Sequence, residues 1–245
     1  MTGKHNLKKK SVLIAIPTYN EEKIIEEKIS QLFDFCKNNL KKYKWKIIVA
    51  DNGSTDKTTR IVKKQKQKYP NLEYFHLKKS GKGIAIKKAW QDYLADVNIF
   101  MDADLATELK FTIPLVNGIT KEKYDLTIGS RYHKQSRCKR SLIRSIYSKF
   151  YNLILKIFFN IKLTDTHCGF KALSKSAVQK IIPKIKNNGL FFDTELLVLA
   201  RYYNLKIKEM PVNWEDKNER KTKIKIIKTG LKYLKEIIKL KYRLL

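Results

Sequence analysis

Short apolar runs, too short for a buried helix, punctuate this chain, and each stops at a polar cluster. Residues 11–16 run into Pro17-Thr18-Tyr19-Asn20-Glu21, and residues 45–50 into Asp51-Asn52-Gly53-Ser54-Thr55-Asp56. Residues 72–77 precede Ser80-Gly81-Lys82-Gly83, the run through Asn98-Ile99-Phe100-Met101 meets Asp102-Ala103-Asp104, and residues 124–128 end in Gly129-Ser130-Arg131. The intervening segments carry helical periodicity: residues 22–39 place Ile25, Ile29, Leu32 and Phe33 on one side, and residues 57–68, 81–94 and 111–120 follow suit. Strands alternating with helices at this spacing imply βαβ units, hence an α/β fold with a mostly parallel sheet covered on both faces. Such sheets gather ligands beyond the carboxyl ends of their strands, which is where these polar clusters fall.

Of the strand ends, Asp102-Ala103-Asp104 carries the most chemistry. In extended chain Asp102 and Asp104 project to one face and Ala103 to the other. Adjacent carboxylates repel unless a cation sits with them, and a hard divalent ion such as Mg²⁺ or Mn²⁺ takes one or two carboxylates plus substrate phosphate oxygens. The competing reading is an acidic turn capping the next helix; the strand-end position favours the cation. Gly81-Lys82-Gly83 is open between a helix start whose N–H groups meet a phosphate and an ordinary glycine-containing loop.

The formal net charge of +30 over 245 residues predicts an anionic partner: nucleic acid, an acidic lipid surface or a phosphorylated substrate. Residues 134–164 contain no Asp or Glu. There Ile143, Ile146, Tyr147, Phe150, Ile154, Ile157, Phe158 and Ile161 recur at helical spacing, consistent with an interfacial helix or with core helices whose lysines reach outward. In the C-terminal tail Lys225, Lys228, Lys232, Lys235 and Lys239 form one stripe, with Ile227, Leu231, Leu234 and Ile238 on the other side. A basic amphipathic helix suits an anionic bilayer. Aromatic residues are not interleaved with the charge as in a base-stacking platform, so nucleic acid is not expected.

No stretch offers the about 20 apolar residues needed to span a bilayer, and the basic start at Lys8-Lys9-Lys10 leads only into a strand-length run. Membrane association is therefore expected to be peripheral. Three cysteines, Cys36, Cys138 and Cys168, lack metal-type spacing and suit a reducing compartment. His167 reads as structural, and Asp193 and Glu195 as either a second carboxylate pair or caps of a helix over residues 194–203.

The ordered set Pro17-Thr18-Tyr19-Asn20-Glu21-Glu22, Ala50-Asp51-Asn52-Gly53-Ser54, Gly81-Lys82-Gly83, Asp102-Ala103-Asp104-Leu105-Ala106-Thr107 and Gly129-Ser130-Arg131 runs through the first half. It continues with Asp165-Thr166-His167-Cys168-Gly169-Phe170-Lys171, Phe192-Asp193-Thr194-Glu195-Leu196-Leu197 and Val212-Asn213-Trp214. Together these resemble the family 2 inverting glycosyltransferases, whose GT-A fold is a Rossmann-like sheet flanked by helices. Ala106-Thr107, Cys168-Gly169-Phe170-Lys171 and Val212-Asn213-Trp214 resemble the branch that glucosylates dolichyl phosphate. The mannosyl branch usually carries Gln at position 106 and Ser-Gly-Phe-Arg at 168–171.

The resemblance implies one GT-A domain over residues 1–245: a nucleotide-sugar-binding half at 11–133, an acceptor-side half at 134–219 and a basic amphipathic helix at 220–245. It implies that Pro17, Tyr19, Glu21 and Asp51 hold the base and ribose. Asp102, with Ala103, would orient the sugar or ribose, and Asp104 would ligate Mg²⁺ or Mn²⁺ beside it. Arg131 and Arg144 would meet the acceptor phosphate, and Lys223 would close over the phosphates. Asn52 replaces a second acid usual after Asp51, and Ala106 removes a third side-chain ligand found in the mannosyl branch. The implied reaction moves a hexose, glucose from UDP-glucose before mannose from GDP-mannose, onto dolichyl or another polyprenyl phosphate at the cytoplasmic face of a membrane. A family 2 transferase with a non-lipid glycan acceptor is the alternative.

Overall fold

The computed structural model describes residues 9–139, 142–215 and 226–245. The first half alternates as expected: β1 (Ser11–Thr18), α1 (Ile25–Asn39), β2 (Lys44–Asp51), α2 (Thr58–Lys68), β3 (Leu72–His76), α3 (Lys82–Asp92), β4 (Val97–Met101), α4 (Thr112–Thr120) and β5 (Leu126–Ser130). Then come β6 (Arg137–Lys139), α5 (Leu142–Phe159), β7 (Phe170–Ser174), α6 (Lys175–Ile181), α7 (Phe192–Tyr202), β8 (Ile207–Pro211), β9 (Asn213–Glu215) and α8 (Ile226–Leu244).

Seven strands form one sheet in the order β3-β2-β1-β4-β7-β5-β8. It is parallel except for β7, which lies antiparallel between β4 and β5. The alternating pattern does not announce β7, because its apolar run is interrupted by a lysine, Lys171. Apolar side chains divide between the two faces. Ile25, Ile29 and Leu32 of α1, Val62 of α2 and Leu115 of α4 pack with Ile14, Ile47 and Ile99 on one. Ala85, Ala89 and Trp90 of α3 and Phe192 and Leu196 of α7 pack with Leu13, Ile48 and Phe100 on the other. Each fully buried large apolar side chain contributes about 1.5–3 kcal/mol, so the sheet is rigid where its strand ends hold the site.

A smaller cluster joins α5, α7 and α8 through Leu155, Val198, Ile237 and Leu240. The basic segment is thus part of the core on one side only. Leu155 is buried, whereas Ile146, Phe150, Leu153 and Ile157, on the opposite side of α5, are 51–71% exposed. Helix α8 is likewise three-faced: Tyr233, Ile237 and Leu240 turn to the core, Lys232, Lys235 and Lys239 form a basic stripe, and Leu231, Leu234 and Ile238 remain in the open. No described helix is long and apolar enough to cross a membrane.

Candidate active site

Strand β4 stops at Met101, and the chain turns at once, with the Leu105 amide donating to the Asp102 carbonyl at 3.1 Å. The two carboxylates therefore belong to a turn, and strand alternation is not what orients them. The turn still buries Ala103 and Leu105 in the core and leaves the Asp102 side chain about half exposed (47%). Leu105 adopts a left-handed φ of 50°, unusual for a branched side chain and a mark of how tightly the turn is held. Asp104 Oδ1 accepts from the Ala106 amide at 3.1 Å. Backbone bonds from Glu215 to the Ala106 carbonyl and from Glu108 to the Asn213 carbonyl then pin the segment to β9. Behind the turn, Gly169 lets the chain pass close to the carboxylate: a Cβ there would lie 2.0 Å from an Asp102 oxygen and push that side chain aside.

Facing Asp102 is a chain of alternating charges. Lys82 Nζ lies 3.1 Å from Asp102 Oδ1 and 3.0 Å from Asp193 Oδ2. Asp193 Oδ1 in turn accepts from Lys171 Nζ at 2.7 Å, and that fully buried ammonium also donates to the Cys168 carbonyl at 2.6 Å. Both ammonium groups sit over the Phe100 ring, at 5.0 and 5.3 Å from its centroid. Burial pushes the Asp193 pKa up, but Lys171 and Lys82 outweigh it and hold the carboxyl below its ordinary range. For Lys82, burial pulls down and the two carboxylates pull up, and the carboxylates prevail. Both groups are ionised at neutral pH. Asp193 is therefore an interior anion and no helix cap. Glu195 does not cap either: it accepts from the Lys186 and Asn187 amides and pairs with Arg243 of α8.

Gly81 and Gly83 owe their identity to close approach. Side-chain carbons there would meet the Asn188 carbonyl at 2.4 Å and Phe192 Cβ at 2.7 Å. Together with Asn52, whose Oδ1 accepts from the Gly81 amide, they fix the start of α3 so that Lys82 is aimed inward. Periodicity misses Lys82, Lys171 and Asp165 as site residues. Two signals were available: a lysine between two glycines after a strand, and a lysine inside the otherwise apolar Phe170-Lys171-Ala172-Leu173, which demands a buried carboxylate.

Arg131 is buried, and its Nε and Nη2 bind Asp165 at 2.6 and 2.8 Å, with the guanidinium 5.5 Å from the Trp214 ring centroid. Burial raises the Asp165 pKa, but Arg131 brings it below the ordinary carboxylate range. The Nε–Nη2 edge of the fork expected for an acceptor phosphate is thus held by a carboxylate. Arg144 lies in α5, but its side chain, like all of Lys223, falls outside the described residues.

At the nucleotide end, Thr18 pairs with Asp51 across β1 and β2, and Pro17 with Ala50; Tyr19 is exposed, and the Glu21 amide donates to Thr58. Asp51 is fully buried. It accepts from the Ser54 amide and from the Thr59 and Tyr74 hydroxyls, and contacts His76 Nδ1 at 3.0 Å. Burial raises its pKa, yet hydrogen bonds led by Ser54 and His76 hold it low. Asp51 thus ties β2 to α2 and β3, chiefly through Oδ2, while Oδ1 accepts from the Ser54 amide. His167 is buried against Tyr151 and Tyr233 at ring-centroid distances of 4.3 and 5.7 Å, and burial holds its pKa down at about 4. It is neutral and structural, as its sequence context suggests.

For a metal, Asp102 and Asp104 are hard oxygen donors at one turn, and among the described residues no cluster of three or more His, Cys, Asp or Glu completes a protein-only cage. Two carboxylates completed by phosphate oxygens and water suit Mg²⁺ or Mn²⁺. The donor set fits.

Residues 13–182, which include both carboxylates, the Gly81-Lys82-Gly83 turn and Arg131, match the family described as glycosyl transferase family 2. The chain belongs to glycosyl transferase family 2. Within that family, dolichyl-phosphate beta-glucosyltransferase of Saccharomyces cerevisiae is 30% identical over 246 residues, an alignment covering 92% of this chain and 72% of the yeast protein. The human protein of that name is 27% identical, over 84% of this chain and 68% of its own length. Glycosyltransferase AglD of Haloferax volcanii is 30% identical over 86% of this chain, but the alignment spans only 34% of AglD. Among solved structures, glucosyl-3-phosphoglycerate synthase from Mycobacterium tuberculosis, in complex with Mn²⁺, UDP-glucose and phosphoglyceric acid, superposes with a TM-score of 0.70 at 16% identity, covering 95% of this chain and 80% of that one. That likeness shows that the two chains share a fold.

Proposed function

We propose that this protein transfers glucose from UDP-glucose to dolichyl or another polyprenyl phosphate, with inversion, at an anionic membrane surface. The observation that carries the proposal is the pairing of a strand-end carboxylate and lysine cluster with two adjacent helices whose apolar stripes are left unburied. The dolichyl-phosphate beta-glucosyltransferase relatives, aligned over most of this chain, support glucose and the lipid phosphate. The structural neighbours holding Mn²⁺ and UDP-glucose support a divalent metal and a uridine donor.

In this reading, Asp104 with Asp102 holds Mg²⁺ or Mn²⁺, which supplies positive charge to the departing diphosphate. Lys82, a permanent cation beside Asp102, adds to that field. Pro17, Tyr19, Glu21 and Asp51 hold the base and ribose, with Asp51 oriented by the Ser54 amide and by the Thr59 and Tyr74 hydroxyls. The acceptor phosphate is largely ionised near neutral pH, so it needs positioning more than deprotonation. Arg131 is a preoriented cation for that phosphate, rigid because Asp165 and Trp214 hold its guanidinium. Arg144 and Lys223 complete the anion site by family resemblance. Helices α5 and α8 lie on the bilayer through Ile146, Phe150, Leu153 and Ile157 and through Leu231, Leu234 and Ile238, with the α8 lysines toward acidic headgroups. The three cysteines, all free thiols, agree with a cytoplasmic-face location.

The test is a transfer assay with radiolabelled UDP-glucose or GDP-mannose, with and without dolichyl phosphate, in Mg²⁺ or Mn²⁺. UDP-glucose is expected to give a labelled lipid product that depends on both acceptor and metal. Mannose transfer alone would overturn the donor assignment, and turnover independent of a polyprenyl phosphate would overturn the acceptor.

A further inference from the structure

We propose that Lys82 is a resident counter-ion for Asp102: it keeps a divalent cation from settling there until a nucleotide diphosphate arrives and draws the ammonium away. The buried Asp193–Lys171 pair sets how firmly Lys82 is held. This rests on the donor reading above.

Four groups form a line of alternating sign, Asp102, Lys82, Asp193 and Lys171, linked by contacts of 3.1, 3.0 and 2.7 Å. Their formal charges cancel. The line has one open end: the Asp102 side chain is 47% exposed, whereas those of Lys82, Asp193 and Lys171 are 15%, 5% and 0% exposed. A cation approaching the turn thus meets a carboxylate already neutralised, with an ammonium 3.1 Å behind one oxygen. Like charges at that range repel strongly where water is partly excluded.

The backbone of Lys82 cannot retreat, because Gly81 and Gly83 are packed against Asn188 and Phe192. Its flexible stem can swing. A diphosphate beyond the strand ends offers oxygens that compete with Asp102 for the ammonium, and each step it takes toward them returns negative charge to Asp102. Nucleotide and metal are then coupled through one side chain, and the coupling is reciprocal.

Asp193 is the anchor for the swing. With Lys171 present, its two oxygens serve two lysines, so its hold on Lys82 is shared. Without the Lys171 charge, Asp193 would retain only Lys82 and pull it from Asp102. Lys82 and Lys171 are positioning residues here, acting on the metal through Asp102.

The experiment is Mn²⁺ titration of the full chain by electron paramagnetic resonance, with and without UDP, the relevant site being identified by its loss in Asp104→Ala. Without nucleotide, Lys82→Met is expected to bind Mn²⁺ about tenfold more tightly than the natural protein, and UDP is expected to enhance its Mn²⁺ binding several-fold less. Lys171→Met is expected to shift nucleotide-free affinity the same way by a smaller factor. Unchanged or weaker nucleotide-free Mn²⁺ binding in a folded Lys82→Met would overturn the proposal, as would undiminished UDP enhancement. A merely structural role for Lys82 would lower the unfolding temperature without tightening Mn²⁺ binding. If the natural protein did not bind UDP at all, the donor reading would fall, while the nucleotide-free comparison would still decide the role of Lys82.

Discussion

Replacing Asp104 by alanine lowers sugar transfer by about a thousandfold while the protein stays folded, the loss expected when preorganised charge stabilisation of a leaving group is removed. The carboxylate is not in the core. It accepts a hydrogen bond from the Ala106 amide, and the turn that carries it is held by buried Ala103 and Leu105 and by the bonds to β9. Removing it costs on the order of 1–2 kcal/mol of stability, too little to unfold the domain. Circular dichroism and thermal unfolding establish the fold, and the transfer assay with saturating metal reads the loss. Near-normal turnover in the variant would remove the metal from the mechanism.

The second large effect concerns the bilayer. Changing Ile146, Phe150 and Ile157 together to aspartate reduces binding to phosphatidylserine-containing vesicles by about a hundredfold or more, because each loses roughly 1–2 kcal/mol of apolar burial. UDP binding stays unchanged, since these side chains are 62–71% exposed in the free protein and lie opposite the buried face of α5. Co-sedimentation with vesicles measures the first quantity and calorimetry the second. Equal loss of both would mean that α5 supports the nucleotide site. Truncating α8 would be a poorer test, because Ile237 and Leu240 belong to the core and Arg243 pairs with buried Glu195.

Where each residue's role follows from local pattern, the sequence is sufficient. The β/α alternation through β5, the exposed strand-end carboxylates and the structural His167 all follow from periodicity, turn chemistry and burial cost. What escapes is tertiary. Strand β7 inserts antiparallel between β4 and β5 with a charged residue in its middle, and Lys171 makes sense only once Asp193, 22 residues later, faces it. The family resemblance assigns Asp51 to the nucleotide, and the fold adds what the motif does not carry: Thr59, Tyr74 and His76 converge on it from α2 and β3. Arg131 looks like a free phosphate fork until Asp165, 34 residues away, occupies it. In α8, one helical spacing describes an apolar surface that the fold divides into a buried face and an open one.

The central claim is that a divalent cation sits at the end of β4 and receives the charge of a departing diphosphate. A crystal structure with UDP and Mn²⁺ tests it most directly. The account predicts Mn²⁺ held by an Asp104 carboxylate oxygen together with diphosphate oxygens. A diphosphate bound elsewhere, with the Asp102–Asp104 turn free of metal, would contradict it.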